Sequence, residues 1–95
     1  MNIIKIKKKY YNDLANFLSK YFVPKKNVEF YKKKFHYYWD NNPSYNEKVV
    51  RGFILMEKNE IKGSILNIPI EYLTNKNINF KISCPCYWYV LENYR

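Results

Sequence analysis

The first half of the chain shows one strand pattern followed by two helical patterns. Residues 2–7 alternate and are rich in β-branched side chains, which predicts a first strand. Two segments then place apolar residues three and four positions apart, and this spacing predicts two helices that each bury one face. The apolar positions are Leu14, Phe17, Leu18 and Tyr21 in the first segment, and Val28, Tyr31, Phe35, Tyr38 and Trp39 in the second. Asn12 and Asn27 are predicted to cap these helices, and Pro24 ends the first.

In the second half of the chain the apolar residues follow the period of strands. Segments 49–57 and 61–72 predict two strands joined by a tight turn, which is the pattern of an antiparallel hairpin. A turn at residues 74–77 leads to a third segment, 78–84, in which every second residue is apolar, as in a strand with one buried face. Pro85 lacks a backbone N–H, so we expect it at a bulge or on an unpaired side of this strand.

Together these elements predict a single α+β domain over residues 1–95, with two helices on a mainly antiparallel four-stranded sheet in the order β-α-α-β-β-β. A domain of 95 residues is marginally stable, so its six Phe, two Trp and eleven Tyr must supply much of the core. No apolar stretch approaches the roughly 20 residues of a membrane span. The first residues lack the features of a signal peptide, and we therefore expect a cytoplasmic protein with no membrane partner.

The two cysteines, Cys84 and Cys86, are separated by a single proline. One such pair in a chain with no other cysteine is not a disulfide framework. We expect two reduced, partly buried thiols in a strand, with metal binding as the alternative.

The formal charge of +9 raises the question of a polyanionic partner. Lysine runs at residues 7–9 and 32–34 have aromatic residues beside them, as nucleic-acid surfaces do. However, fifteen lysines outnumber two arginines, and arginine is the usual residue for bidentate recognition of phosphates and bases. We therefore interpret the lysines as solvated surface and do not expect a dedicated nucleic-acid site.

Three segments resemble parts of one enzyme family, the GNAT N-acetyltransferases. Residues 88–95, Trp-Tyr-Val-Leu-Glu-Asn-Tyr-Arg, are similar to the end of the family's fourth strand, where Val-x-Pro-x-aromatic-Arg runs into a glycine-rich turn. Residues 57–63 resemble the hairpin between its second and third strands, and residues 30–35 with Asn42-Pro43 resemble its second helix and the following loop. Glu92 departs from the pattern, because the family has proline there. The resemblance covers the first part of the family's domain.

The resemblance implies acetyl-CoA as cofactor and an amine as acceptor. In the family, backbone groups at the positions of Trp88, Tyr89 and Val90 pair with the pantetheine arm, and a strand-four N–H polarises the thioester carbonyl. Arg95 would be the first residue of the turn that holds the pyrophosphate at a helix N-terminus. These four residues are the candidate cofactor-binding site.

Because the chain stops at Arg95, we expect a truncated domain that does not turn over acetyl-CoA alone. The sequence contains no glycine-rich turn after the fourth strand, and it offers no position for the family's late tyrosine acid, so we name no catalytic residue. Two alternatives remain open. The chain could self-associate through an unpaired edge of the fourth strand, or it could be a small basic protein that binds nucleic acid or another polyanion.

Overall fold

Two helices pack on one face of a four-stranded antiparallel sheet, which confirms the α+β architecture predicted from the sequence. The computed structural model describes the backbone of residues 2–73, 76 and 79–95, and the side chains of these residues other than 72, 73 and 79–81. The strands are β1 (Asn2–Lys5), β2 (Gly52–Glu57), β3 (Glu60–Leu73) and β4 (Asn79–Val90). The helices are α1 (Tyr11–Tyr21) and α2 (Val28–Phe35), which continues into a π turn at His36–Asp40.

The sheet has the strand order β1-β2-β3-β4, and each pair of neighbours is antiparallel. The β2–β3 turn consists of Lys58 and Asn59, which both have positive φ angles, 52° and 64°. Turns of this kind match the right-handed twist of the strands, so they join hairpins tightly. The strands β3 and β4 are longer than β2, and one end of their hairpin therefore extends beyond the rest of the sheet.

Gly52 allows β2 to begin where it does. Its φ angle is 122°, and a Cβ at this position would lie 2.2 Å from the carbonyl oxygen of Ile65. Any other residue would therefore be strained both by its backbone conformation and by this contact. The Gly52 carbonyl accepts a hydrogen bond from the N–H of Ile6 at 2.9 Å, which fixes the end of β1 against β2.

Both predicted helices bury the predicted face. The buried residues of α1 are Tyr11, Leu14, Ala15, Phe17 and Leu18, and those of α2 and the π turn are Tyr31, Phe35 and Trp39. Tyr21, Val28 and Tyr38 are half-buried and pack against this core. The helical spacing of apolar residues is therefore sufficient to identify the buried side of each helix.

One of the two predicted helix caps is confirmed and the other is wrong. The Asn27 side chain accepts a hydrogen bond from the N–H of Phe30 at 2.8 Å, as an N-cap does. Asn12, in contrast, lies inside α1, which begins at Tyr11 directly after a 3-10 turn. A capping residue needs an extended backbone, whereas Tyr10 before α1 is already in a helical conformation, so the chain enters this helix without a side-chain cap.

The core lies between the helices and the face of the sheet that they cover, which we call the inner face; the opposite side is the outer face. Trp39 is fully buried, stacks on Phe35 with ring centroids 5.4 Å apart, and donates from Nε1 to the carbonyl of Asn67 at 2.7 Å. Ile54 and Leu66 are large apolar side chains of the sheet that are fully buried in this core. A large aromatic residue with a satisfied N–H thus links the second helical segment to the central strands.

The fourth strand differs in extent from the prediction. It runs without interruption from Asn79 through Pro85 to Val90. Its predicted start at Ile78 and most of the predicted turn at 74–77 lie outside the described residues, while Lys76 is in a turn. Ile82, predicted to be buried, is 43% exposed, because this end of the hairpin extends past the helices.

Candidate functional site

The strand β4 is the last strand of the sheet in the described part of the chain, so one of its sides has no neighbouring strand there. A bulge interrupts its pairing with β3. In the register Ser64 lies opposite Tyr89 and Leu66 opposite Cys86, so that the single residue Ile65 faces the pair Tyr87 and Trp88. Tyr87 has a φ angle of 51°, an uncommon conformation for a bulky residue.

Side chains from the core hold the bulge in place. The buried hydroxyl of Ser64 donates to the carbonyl oxygen of Tyr87 at 2.9 Å. The Tyr87 ring packs against Phe22 and Tyr31, and its hydroxyl is hydrogen-bonded to that of Tyr38 at 3.0 Å. Burial, and secondarily the hydrogen bond to Tyr87, raise the pKa of Tyr38. The bulge is therefore a supported feature of the fold.

The ladder decides which backbone groups of β4 are exposed. Leu91 donates its N–H to the carbonyl of Lys62 at 2.9 Å. Because antiparallel strands direct the groups of alternate residues to the same side, Tyr89 also points its backbone toward β3, whereas Trp88 and Val90 point theirs to the open edge.

The same alternation explains why a strand can run through Pro85. Pro85 lies opposite Asn67, and Asn67 donates its N–H away from β4, to the carbonyl of Arg51 at 2.9 Å. The backbone of Pro85 accordingly faces the open edge, where the missing N–H removes no ladder bond. This position agrees with the expectation that proline occupies an unpaired side.

The structure brings the four candidate residues of the site to one end of β4, but it gives them different surroundings. The Trp88 side chain lies on the outer face and is 74% exposed. The Tyr89 ring lies on the inner face and stacks on Tyr21 with a centroid distance of 5.9 Å. Val90 lies on the outer face above Gly63, where a Cβ would approach its Cγ2 to 3.1 Å. Glycine at position 63 therefore makes room for Val90.

Arg95 folds back onto the strand that precedes it. A 3-10 turn at Glu92–Tyr94 reverses the chain, and the Arg95 Nε then donates to the outward-facing carbonyl of Val90 at 2.8 Å. Its guanidinium carbon lies 5.7 Å from the centre of the Tyr89 ring. Arg95 thus occupies one acceptor of the open edge, while the outward N–H groups of Trp88 and Val90 are directed to donate to a carbonyl.

The two thiols of β4 are free and lie at the inner face beside this site. Burial, together with the nearby Cys84, raises the pKa of the Cys86 thiol to about 11. A thiol with a raised pKa is a poor nucleophile at neutral pH. Within residues 2–73, 76 and 79–95, no group of three or more His, Cys, Asp and Glu side chains is arranged to hold a metal ion.

A second polar cluster, which the sequence did not indicate, joins the helices to the start of β2. The Tyr11 hydroxyl donates to Asp40 Oδ1 at 3.1 Å and accepts from Arg51 Nε at 3.1 Å, and His36 Nδ1 is hydrogen-bonded to Asp40 Oδ2. Burial raises the pKa of Tyr11. Only the four-residue spacing of His36 and Asp40 on a helix could have indicated part of this cluster. Its interactions are internal to the domain, and we assign it to structure.

The lysines of the two runs are distributed over the helical side of the domain. The Lys34 Nζ lies 5.5 Å from the ring centre of Phe30 and 5.9 Å from that of Tyr37, and the Lys9 Nζ lies 5.1 Å from that of Tyr10. In these contacts the aromatic rings lie against lysine side chains of the same domain. A nucleic-acid surface would need these rings for stacking on bases.

Comparison with protein-family models, curated proteins and solved structures finds no match to this chain. In the described residues, no helix has the length and apolar character needed to cross a membrane. The function of the chain must therefore be inferred from its fold and from the edge of β4.

Proposed function

We propose that the chain binds an acyl-CoA thioester, specifically acetyl-CoA, along the open edge of β4, as part of a GNAT-type N-acetyltransferase domain. One observation carries this proposal: β4 is an edge strand with a bulge at Tyr87 and Trp88, and the alternation of its ladder directs the N–H groups of Trp88 and Val90 outward. The element order and the antiparallel sheet also agree with the first part of the fold that the resemblance implies.

The pantetheine arm of coenzyme A suits such an edge. It is a narrow, extended chain with amide groups, so it pairs with an exposed strand as an added strand does. The N–H of Trp88 or Val90 then donates to the thioester carbonyl. A donor that is fixed in the strand stabilises the developing oxyanion without reorganisation, which is the contribution expected of a backbone group.

In this proposal Arg95 exchanges its partner when the ligand binds. It releases the Val90 carbonyl, which becomes available to a pantetheine amide, and its guanidinium pairs with the pyrophosphate in a charge-assisted contact. The carbonyl acceptor that Arg95 covers in the free protein is then satisfied by the ligand, so that the exchange leaves no unpaired group.

The proposal concerns binding, and no turnover is expected of the 95 residues alone. The two glycines, Gly52 and Gly63, both precede β4, and neither is assigned to a pyrophosphate-binding turn. The acceptor would be an amine, and neither its identity nor a catalytic residue is assigned. The free thiols Cys84 and Cys86 agree with a cytoplasmic location, which is part of the proposal.

Calorimetric titration with acetyl-CoA at about 0.15 M salt tests this function, with ATP as the control ligand. A protein of charge +9 attracts any nucleotide phosphate, and ATP measures that contribution. We expect saturable binding of acetyl-CoA at concentrations where ATP does not bind. Equal heats from both ligands, or none from either, would show that the edge of β4 does not recognise the thioester arm.

Two variants locate the binding. Arg95→Ala removes the proposed pyrophosphate contact, and we expect it to weaken acetyl-CoA roughly tenfold, as the loss of one charged hydrogen bond does. Lys33→Ala removes the same charge from an exposed position on α2 and should leave the affinity unchanged within about twofold. If both variants weaken binding equally, the affinity depends on net charge and not on the site.

A further inference from the structure

We propose that the outer face of the sheet is an interface with a second copy of this chain, packed sheet against sheet around a two-fold axis. The interface consists of six apolar side chains from all four strands, which we call the outer patch: Ile3, Phe53, Leu55, Ile65, Trp88 and Val90. This association is independent of acyl-CoA binding, which the previous proposal places at the strand edge.

The outer patch is contiguous; Ile3, Phe53 and Trp88 are exposed, and its other three residues are half-buried. Ile3 and Trp88 are 75% and 74% exposed, although they belong to strands at opposite sides of the sheet, and Phe53 between them is 40% exposed. Residues of the patch line a shallow depression of about 180 Å³. A second depression of about 270 Å³ shares Phe53 and Ile65 and extends the apolar surface to Pro85. Single exposed apolar residues are normal, but a continuous patch of this kind marks an interaction site.

The distribution of charge indicates what covers the patch. None of the residues that line these two depressions is charged, although the chain carries a formal charge of +9. Lys5, opposite Phe53 in the register, lies at the margin. The lysine runs at 7–9 and 32–34 belong to the helical layer on the other side of the sheet. An acidic partner would be attracted to that layer, and the outer patch offers it no complementary charge.

A second copy meets the uncharged patch with the same uncharged patch. Two sheets that pack face to face lie about 10 Å apart. The helices of each copy then lie on the side of its sheet that is away from the interface. This arrangement keeps the lysines of one copy away from those of the other. Because a two-fold axis relates identical surfaces, the outer patch of each copy is covered by that of its partner. The dimer therefore buries the apolar surface and keeps the positive charges of the two copies apart.

The size of the patch sets the expected affinity. Four strands about 4.8 Å apart, each contributing roughly five residues at about 3.3 Å, cover roughly 300 Å² in projection per copy. Protruding side chains increase the accessible area, so that two copies bury a total near the roughly 1,000 Å² at which specific interfaces begin. We therefore expect a reversible dimer with a dissociation constant in the micromolar range.

Pairing through the edge of β4, which the sequence analysis raised, competes with this arrangement. Three features protect that edge: Pro85 within the strand, the bulge at Tyr87, and Arg95 on the carbonyl of Val90. Prolines and bulges are the devices with which natural sheets discourage edge pairing. The outer patch has no such protection, and for this reason we assign self-association to the face.

Sedimentation equilibrium over a range of protein concentrations tests the proposal. We expect a monomer–dimer equilibrium that is maintained or strengthened when salt is raised to about 0.5 M, because salt screens the repulsion between two basic chains. The fluorescence of Trp88 should shift to shorter wavelength as the dimer forms, since Trp39 is already buried in the monomer. A protein that stays monomeric at every concentration up to about 1 mM would overturn the proposal. Specific interfaces have dissociation constants well below that concentration.

Matched variants distinguish the face from the edge. Trp88→Glu and Ile3→Glu each place a charge in the outer patch, and each should weaken the dimer at least tenfold. Tyr37→Glu and Val23→Glu are the controls, because these residues are 73% and 88% exposed on the helices or their connection. Circular dichroism and urea unfolding verify that all four variants fold.

The pattern of outcomes decides between the two modes. Loss of the dimer in Trp88→Glu and Ile3→Glu, with both controls unchanged, supports the face. Loss in Trp88→Glu alone indicates pairing through the β4 edge and overturns the proposal, because Ile3 lies on β1 at the other side of the sheet. Loss in Tyr37→Glu or Val23→Glu with the outer-patch variants intact indicates association through the helical side and also overturns it.

Discussion

Neighbouring aromatic residues of β4 differ in burial between the two faces of the sheet. Tyr87 and Tyr89 point to the inner face, where their rings contact Phe22 and the residues of α1 and α2. Trp88 between them points to the outer face and is mostly exposed. A strand presents successive residues to opposite sides, so the position of the helices decides which aromatic residue becomes core. Aromatic content alone therefore does not identify the residues that stabilise this domain.

The difference also appears in how polar atoms are satisfied. On the inner side the buried hydroxyls have partners, as Tyr38 has in Tyr87 and Tyr11 has in Asp40. The side chains of the outer patch are, apart from the Trp88 indole N–H, without hydrogen-bonding groups and can be covered by another apolar surface at no polar cost. The inner face thus supplies the core of the domain, and the outer patch lies outside that core.

The two tryptophans test this contrast most strongly. Trp39→Ala should destabilise the domain by about 3–5 kcal/mol, because it empties a fully buried site and removes the hydrogen bond to Asn67. Trp88→Ala should cost the monomer less than about 1 kcal/mol. Urea unfolding at low protein concentration, followed by circular dichroism, measures both. Equal losses would show that the outer face contributes to the folding core of the monomer.

The bulge that separates Tyr87 from Trp88 depends on Ser64. Ser64→Ala removes the buried hydroxyl that donates to the Tyr87 carbonyl, and we expect a loss of about 1–2 kcal/mol. It should also weaken acetyl-CoA binding, if the bulge positions the edge donors. Ser83→Ala, at an exposed position of β4, is the control and should stay within about 0.5 kcal/mol of the parent protein. Unaltered stability of the Ser64 variant would mean that the ladder holds the bulge without this contact.

Alkaline pH should weaken the inner side. Burial raises the pKa of Cys86 from 9.0 to about 11, so the native state keeps a proton that the unfolded chain loses first. The neutral thiol therefore contributes its full stability below about pH 9, and this contribution is lost as the pH rises toward about 11. The raised pKa values of Tyr11 and Tyr38 act in the same direction at higher pH.

Urea midpoints between about pH 8 and about pH 11 measure this loss. A pKa difference of this size corresponds to at most roughly 3 kcal/mol, and the half-buried thiol should reach only part of it. Cys86→Ala should flatten the first part of the decrease. A midpoint that does not change over this range would contradict the burial of these groups.

The smallest expected loss of stability concerns the helices that cover the inner face. Asn27→Ala removes the cap of α2 and should cost about 1 kcal/mol. Asn12→Ala is the matched substitution inside α1, where the same residue type is no cap, and it should be neutral or slightly stabilising because alanine is the better helix former. Equal destabilisation by both would mean that Asn12 also contributes at the start of its helix.

The sequence by itself determined the features that depend on local interactions. The helical stripes, the cap at Asn27, the turn at Lys58 and Asn59 and the α+β order follow from residue spacing and short-range chemistry, and all were anticipated within a few residues. Asn12 was misassigned as a cap because a 3-10 turn leads into α1, and this path depends on how the preceding strand packs.

Only the tertiary structure decided the features that depend on register and on distant partners. The bulge at Tyr87 exists because Ser64, Tyr38 and the ladder act on it together, and these groups are more than twenty residues away in sequence. The same register directs Trp88 outward and brings Arg95 back to Val90. A period of two predicts that neighbours in a strand point to opposite faces, but the assembled layers decide which of the two faces is covered.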